Sequence, residues 1–449
     1  MHCKKIFTDK QHTMSQQTAF LSPRVPAAHL MQMSGDGFGG FLGFGVAITP
    51  SSCYVLSLME PTERHQLLNY IYSKDGLGLS VGRLCIGSSD YSPEIYTYDD
   101  VAGDTELLHF TIARDEEYII PIIKEILEIN PNLYLFASPW SPPGWMKTGG
   151  NICGGYMRDE YVECYAEYIV KYIKAYAQHG IKISAITPQN ETNTQQEHRM
   201  PACIWHPETE ARFICVLKEK LLKNSLFTKI WMYDHNFNDV ERVKWSLENC
   251  KGLRDACDGI AFHYYAGCVE QTAFLKNIYP DLSLHFTEGG PRLNDNYDTD
   301  WCKWGLMIIK ALKAGYSSFT GWNLMLDELG GPNVGPFLGT CGGLVTRDSI
   351  SGELRFSGQY KAFSHIAPYI TPASKIYALT LGDTFNLKMS SYPKSDVDVE
   401  GVVIDNNDGK LTAVIVNPNN HGFQMQLDLC GKLWYLELQA DSISTIVVE

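Results

Sequence analysis

At 449 residues, 45% hydrophobic and 20% charged, the chain can bury a large core and could hold one barrel of roughly 250 to 400 residues plus a smaller module. No stretch approaches the ~18 uninterrupted apolar residues of a membrane span. A net charge of −14 opposes binding to nucleic acid or anionic membrane, because phosphate contacts need clustered Lys and Arg, so a soluble protein with a neutral ligand is expected.

Residues 1–40 are polar and then glycine-rich. Met1-His2-Cys3-Lys4-Lys5 leads only into Ile6-Phe7 before polar residues resume, too short for the apolar core of a signal peptide. Met14-Ser15 is an alternative start. The 13 cysteines are scattered with no C-x-x-C pair, and Cys85, Cys164 and Cys215 sit inside apolar runs as buried thiols do; the expectation is a cytoplasmic protein. Gly35-Asp36-Gly37-Phe38-Gly39-Gly40 matches G-x-G-x-x-G, but it leads into the strand-like residues 41–48 and not a helix. A turn is expected there, not a dinucleotide site.

From Phe44 strand-like runs alternate with helical stretches for more than 300 residues. The strand candidates are 43–49, 79–86, 133–138, 183–187, 229–233, 259–264, 282–287 and 318–323. Eight such runs favour a (β/α)8 TIM barrel over a doubly wound sheet. In the helix predicted at 161–179, Tyr161, Tyr165, Tyr168, Ile169, Tyr172, Ile173 and Tyr176 recur at helical spacing before Gly180, and this stripe reads as packing. Helices are also predicted at 116–129, before Asn130-Pro131, at 207–223, with Pro207 in the first turn, and at 300–313, before Gly315. Each is expected to cover a face of the sheet.

Past Pro372 short alternating strands take over, at 410–416, 422–427 and 442–448, separated by the turn signals Asn406-Asn407-Asp408-Gly409 and Asn417-Pro418-Asn419-Asn420. These are too few to close a β-sandwich alone, so the N-terminal segment is expected to add a strand. The predicted division is 1–42 for that segment, 43–371 for the barrel and 372–449 for the sandwich.

Two glutamates end predicted strands. Thr187-Pro188-Gln189-Asn190-Glu191 follows the apolar run 181–186, and Glu288-Gly289-Gly290 follows Leu284-His285-Phe286-Thr287. They close strands four and seven, and barrel sites are built at the C-terminal strand ends. Cleaving a glycosidic bond with retention needs one carboxyl to protonate the leaving oxygen and another to attack the anomeric carbon, about 5 to 5.5 Å apart. Asn190 can hold the sugar 2-hydroxyl, a contact that strengthens in the transition state. Either glutamate alone would read as a solvated loop acid; the matched pair argues for chemistry. A metal-dependent hydrolase would need several strand-end ligands, but His-x-His is missing after the first strand and only His235 and His263 could serve. No metal or cofactor is expected.

Gly43-Phe44-Gly45, Ser89-Asp90-Tyr91-Ser92, the run Ala137-Ser138-Pro139-Trp140 through Met146-Lys147, Thr187 to Glu191, His263-Tyr264-Tyr265, Thr287-Glu288, Gly321-Trp322-Asn323-Leu324 and Gly330-Gly331-Pro332-Asn333 resemble, in order, the motifs of glycoside hydrolase family 30, nearest the branch with the lysosomal glucosylceramidase. The resemblance runs from about residue 40 to the end. It implies a retaining β-glycosidase with a barrel joined to a β-sandwich, Glu191 as acid/base and Glu288 as nucleophile. Asp90, Trp140, Asn190, Trp322 and Asn333 would line the subsite of the non-reducing sugar, with His263 and Tyr265 beside the nucleophile. Asp and Asn suit hydroxyl pairs and Trp suits the apolar face of a pyranose.

Each helper has a plainer reading. Trp140 and Trp322 could be core, Asp90 could cap a turn with Ser89 and Ser92, and His263 could be a core histidine. Arg83 reads as a carboxylate partner or as a barrel-packing ion pair. The chain departs from the family in having Asn190-Glu191-Thr192 where Asn-Glu-Pro is usual, in Gly289-Gly290, and across residues 192–206, which should shape the leaving-group side. The expectation is an exo-acting retaining β-glycosidase of terminal β-glucosides, the Gly-Gly-Pro-Asn block favouring glucose over xylose. Alternatives are a β-1,6-glucanase, β-xylosidase or β-fucosidase and, from another class, a non-catalytic carbohydrate-binding protein.

Overall fold

The computed structural model describes residues 3–25, 29–381 and 399–449. Met1 and His2, residues 26–28 of the predicted N-terminal segment and residues 382–398 of the predicted sandwich lie outside the described residues. No helix among the described residues is long and apolar enough to cross a membrane.

Eight parallel strands close into a barrel: β1 (Gly43–Ala47), β2 (Val81–Ile86), β3 (Tyr134–Pro139), β4 (Ile183–Ile186), β5 (Lys229–Asn236), β6 (Gly259–His263), β7 (Ser283–Glu288) and β8 (Tyr316–Gly321). They follow one another around the ring in chain order, β8 beside β1. Every residue of β1, β2 and β6 is buried, because a barrel strand faces side chains inside and helices outside. All eight predicted strands form. The largest shift of any one boundary is at the end of β5, which runs three residues beyond the predicted 229–233. Tyr233 and Asp234 have φ of 78° and 56°, and the pairing with β6 shifts register between Tyr233 and His235. This is a β-bulge, a device that re-aims side chains at a barrel rim.

The helix Val162–Gln178 forms as its periodicity predicts, and Tyr165, Tyr168, Tyr172 and Tyr176 are buried along it. The stripe is packing: Tyr176, Tyr98 and Tyr96 donate their hydroxyls to the buried Asp115 at 2.6, 2.6 and 2.7 Å. Helices Ile119–Ile129 and Pro207–Lys223 also form, the second with Pro207 at its start and Glu208 and Glu210 in its first turn, where the helix dipole favours them.

A second compact unit gathers Met1–Gly43, Asn296–Tyr316 and Phe356–Glu449. Its ten-stranded sheet runs Ser15–Thr18, Cys3–Thr8, Ser442–Val448, Leu411–Asn417, Glu400–Asp405, Lys375–Leu381, His29–Phe38, Phe423–Leu429, Lys432–Leu438, Phe20–Leu21. It is antiparallel except where Phe423–Leu429 meets His29–Phe38, and Met31, Val403, Ile415, Leu427, Trp434 and Ile446 share its core. Among the described residues the N-terminal segment contributes four strands where one was expected. The glycine run there is not a turn. Gly35 and Gly37 lie inside His29–Phe38 with φ of 80° and 67°, at a register shift against Lys375–Leu381. A side chain at Gly37 would meet the Tyr377 ring at 2.7 Å, so the glycines permit a bulged strand to keep pairing. The helix Trp301–Lys313, expected on the barrel sheet, groups with this unit, where Trp301 Nε1 donates to the Asp441 carbonyl at 3.0 Å.

Candidate active site

The β5 bulge brings Asp234, fully buried, into the centre of the barrel. Its Oδ1 accepts from His263 Nε2 at 2.9 Å and Thr287 Oγ1 at 2.6 Å. Its Oδ2 accepts from Arg83 Nη2 at 2.8 Å, Ser138 Oγ at 2.8 Å and Thr187 Oγ1 at 2.7 Å. Strands β2, β3, β4, β6 and β7 thus meet on one carboxylate. Burial alone would raise its pKa, but the Arg83 guanidinium and His263 hold it far below the usual carboxylate range.

Arg83, also fully buried, distributes the rest of its donors. Nε reaches Ser138 Oγ at 3.2 Å, Nη2 reaches Asn190 Oδ1 at 2.8 Å, and Nη1 donates to Glu288 Oε2. The two readings open for Arg83 are both realised: it pairs with carboxylates and packs under rings, 4.9 Å from the Trp140 centroid and 5.4 Å from that of Trp322. Tyr265 OH donates to Glu288 Oε1 at 2.9 Å, so both oxygens of Glu288 are held in direction.

Glu191 follows β4 with φ of 54°, a left-handed backbone that a non-glycine residue adopts at some strain. The bulge supports it: the Glu191 N–H donates to the Asp234 carbonyl at 2.9 Å, and the Asn190 N–H to the Pro139 carbonyl at 2.7 Å. Glu191 Oε1 lies 3.5 Å from His263 Nδ1 and 3.8 Å from His235 Nε2. Burial would raise its pKa, but the neighbouring His263 holds it below its ordinary value. For His263 burial is likewise outweighed, by Glu288 and Asp234, and its pKa is pushed up to about 9. One oxygen of Glu191, one oxygen of Glu288 and one nitrogen of His263 lie within 4.8 Å of one another.

These groups open on a cavity of about 260 Å³. Asp90, Trp140, Asn190, Glu191, Tyr265, Glu288 and Trp322 all line it. Trp140 and Trp322 stack with centroids 5.2 Å apart at 21°, and Tyr91 meets Trp322 edge-on at 5.7 Å. The turn is tied by its serines, Ser92 Oγ accepting the Ser89 N–H at 2.9 Å and Ser89 Oγ the Tyr91 N–H at 3.1 Å. The Asp90 carboxylate also draws on the backbone N–H groups of residues 90 and 91 and lines the cavity, its pKa raised by burial and by Glu288 and Glu191.

His263, expected beside the nucleophile, lies 3.8 Å from Glu288 Oε2, whereas Asn333, expected to line the subsite, stands behind the wall. His263 is fully buried between Asp234 and the glutamates. Asn333 is not among the residues lining the cavity; its Oδ1 accepts the Gly335 N–H at 2.7 Å, while the adjacent Val334 N–H donates to the Asp90 carbonyl at 2.8 Å. It shapes the loop that presses on Asp90, a tertiary contact that the Gly-Gly-Pro-Asn motif does not encode.

Asp234 was missed, although Tyr233-Asp234-His235-Asn236 has the same signature of polar residues after an apolar run that singled out Glu191. His235 was weighed only as a metal ligand, yet it lines the cavity with Asn236. Thr194, Gln196 and Met200 come from the divergent segment 192–206, and Arg292, Phe337 and Cys341 from loops with no local signal. Glu191, His263 and Glu288 are the one group among the described residues close enough to share a metal ion. Arg83 already occupies Glu288 Oε2, and His263 is cationic at neutral pH, so a bound cation would face two positive charges.

Residues 41–338 match the family model described as the glycosyl hydrolase family 30 TIM-barrel domain. The chain is 28% identical to the endo-1,6-β-D-glucanase of Neurospora crassa, over 90% of this chain and 85% of that one. It is 26% identical to the lysosomal acid glucosylceramidase of Mus musculus, over 84% and 77%. The solved structure of SrfJ from Salmonella typhimurium superposes with a TM-score of 0.90 at 26% identity, covering 100% of both chains.

Proposed function

The chain belongs to glycosyl hydrolase family 30, a hydrolase of O-glycosyl bonds in carbohydrate substrates, and on that premise we propose that it is a retaining, exo-acting β-glycosidase of terminal β-glucosides. The observation that carries this reading is the approach of Glu191 and Glu288 to within 4.8 Å. That spacing suits double displacement, whereas inversion needs about 6.5 to 9.5 Å to admit a water between the carboxyls. Glu288, aimed by Arg83 and Tyr265, attacks the anomeric carbon. Glu191 gives its proton to the departing oxygen and then takes one from the water that releases the sugar. Asn190, whose Oδ1 is engaged by Arg83, turns its NH2 toward the sugar 2-hydroxyl, Asp90 accepts from the glycone hydroxyls, and Trp322 with Trp140 meets the apolar sugar face. His263, through Asp234, fixes the carboxyls relative to one another.

A cavity of about 260 Å³ suits one sugar ring, which supports exo action. Endo-1,6-β-glucanase activity is the second reading, supported by the Neurospora crassa relative of that name. The test is a panel of aryl β-glucoside, xyloside, galactoside and fucoside together with β-1,6-glucan, the first-formed anomer followed by NMR. Release of β-glucose from chain ends supports the proposal, internal cleavage of the glucan selects the second reading, and an α-anomer as first product sinks both. All 13 cysteines are free thiols, which supports a reducing, cytoplasmic setting; cell fractionation checks it.

A further inference from the structure

As a proton donor Glu191 has to be a carboxylic acid when substrate arrives, yet the cationic His263 at 3.5 Å from Oε1 favours the carboxylate. On the other side of the same oxygen stands His235, with Nε2 3.8 Å away. A regular strand would send Asp234 and His235 to opposite faces; the bulge between Tyr233 and His235 lets the first enter the barrel and the second line the cavity.

The tautomer of His235 follows from its neighbours. Asn193 Nδ2 donates to Asp239 Oδ2 at 2.6 Å, and a carboxylate only accepts, so the orientation of the Asn193 amide is set. Its Oδ1 then faces His235 Nδ1 and can only accept. Nδ1 therefore carries a hydrogen, and the neutral ring presents the Nε2 lone pair to Glu191 Oε1. A lone pair repels a carboxylate and accepts a hydrogen bond from a carboxylic acid. The 3.8 Å separation is long, as catalytic hydrogen bonds are before substrate closes a site.

We propose that Asp239, Asn193 and His235 form a line that holds the acid proton on Glu191, with His235 as the positioning residue that accepts from it. This rests on the reading of Glu191 as acid/base. When Glu191 is protonated, its proton passes to the glycosidic oxygen as the C–O bond breaks, leaving Glu191 a carboxylate. The attacking water then restores it, and His235 gains and loses no proton in the cycle. The charged or titratable groups facing His235 are Glu191, His263, Asp234 and Asp239, with the Tyr233 ring 6.0 Å away. Burial, offset only in part by the acidic groups among them, keeps His235 below its ordinary value, so it is neutral at neutral pH. Two imidazoles thus flank one carboxyl oxygen in opposite states, His263 charged and His235 neutral.

The experiment measures kcat/KM against pH for the wild type, His235→Leu and Asp239→Asn, with phenyl and 2,4-dinitrophenyl β-glucosides. The first needs a proton on its leaving group and the second does not. In His235→Leu the basic limb on the phenyl substrate should move to lower pH by about one unit, the tenfold effect of losing one hydrogen bond to the protonated form. Asp239→Asn should move it the same way by less, since it frees the amide without removing the imidazole. An unmoved limb in both variants, a limb moved to higher pH, or equal losses on both substrates with the limb in place would overturn the proposal. If Glu191→Ala lost activity equally on both glucosides, the acid/base reading would fail and the proposal with it; a strong leaving-group dependence in Glu191→Ala beside unmoved limbs would overturn this proposal alone.

Discussion

Replacing Arg83 with methionine keeps the reach and most of the volume of the side chain while removing the charge on which the site is hung. Arg83 and Asp234 are both wholly buried, 2.8 Å apart, and Arg83 also bridges to Glu288 and Asn190. Breaking a buried pair by deleting one partner leaves a carboxylate uncompensated, and the expected loss of stability is about 3 to 5 kcal/mol. Asp234 would keep His263, Thr287, Ser138 and Thr187, which places the loss toward the lower end. The measurement is the urea unfolding midpoint of the barrel in the wild type, Arg83→Met, Asp234→Asn and the double variant. Because the two side chains touch, the double variant should be less destabilised than the sum of the singles by about 1 to 3 kcal/mol. Activity should fall further than stability explains, about a hundredfold in kcat, since Glu288 loses the guanidinium that aims Oε2 and small displacements of a reacting atom have effects of that size. A loss below about 1 kcal/mol for Arg83→Met, with strict additivity in the double variant, would refute the view that the ion pair organises the barrel centre.

Glu288→Gln should lower kcat by on the order of 10³ or more on every aryl glucoside, and turnover near the wild-type value would remove the nucleophile assignment. Glu191→Ala should lose about 10² to 10⁴ on phenyl glucoside and far less on the dinitrophenyl analogue, with azide restoring turnover as a β-glycosyl azide; full activity without azide would refute the acid/base role. Asp90→Ala should reduce kcat/KM by about tenfold, the effect of losing one hydrogen bond to a sugar hydroxyl, and an unchanged ratio would move Asp90 out of the glycone subsite. His263 has a folded-state pKa of about 9 against an ordinary 6.5, so its stabilising contribution is complete below about pH 6.5 and disappears as the pH rises to about 9. The stability gap between wild type and His263→Gln, on the order of 3 kcal/mol at its largest, should therefore shrink across that window in urea titrations; a gap constant from pH 6 to pH 9 would show that the imidazole carries no extra proton.

The barrel strands and the two glutamates were legible because their signals are local. An apolar run that stops at Thr187 or Thr287 and is followed by a polar residue is written within a few positions, and so is the tyrosine period of Val162–Gln178. The helix Trp301–Lys313 shows the limit of such reasoning, since amphipathic spacing says that one face is covered but not by what. Asn333 shows it again: the residue sits in a recognisable motif, yet its side chain holds a loop behind Asp90.

Asp234 is the instructive omission. Ending strand five at Tyr233 was the natural choice because polar residues begin there, and in a regular strand that choice would have placed the next side chains alternately in and out. The register shift against β6 is a property of pairing between distant segments and leaves no trace in composition. Its consequences are nonetheless the largest in the site. The extra residue turns Asp234 inward to bind Arg83 and His263, offers its carbonyl to the Glu191 N–H, and frees His235 to face the carboxyl from the cavity. On the proposed reading the glutamates supply the reacting oxygens, and the bulge places the Asp234 carboxylate and the His235 ring around them. Straightening β5 by deleting one residue at 233–235 should therefore abolish turnover even with Glu191 and Glu288 intact, whereas an isolated pair of strand-end carboxyls sufficient for the chemistry would retain it.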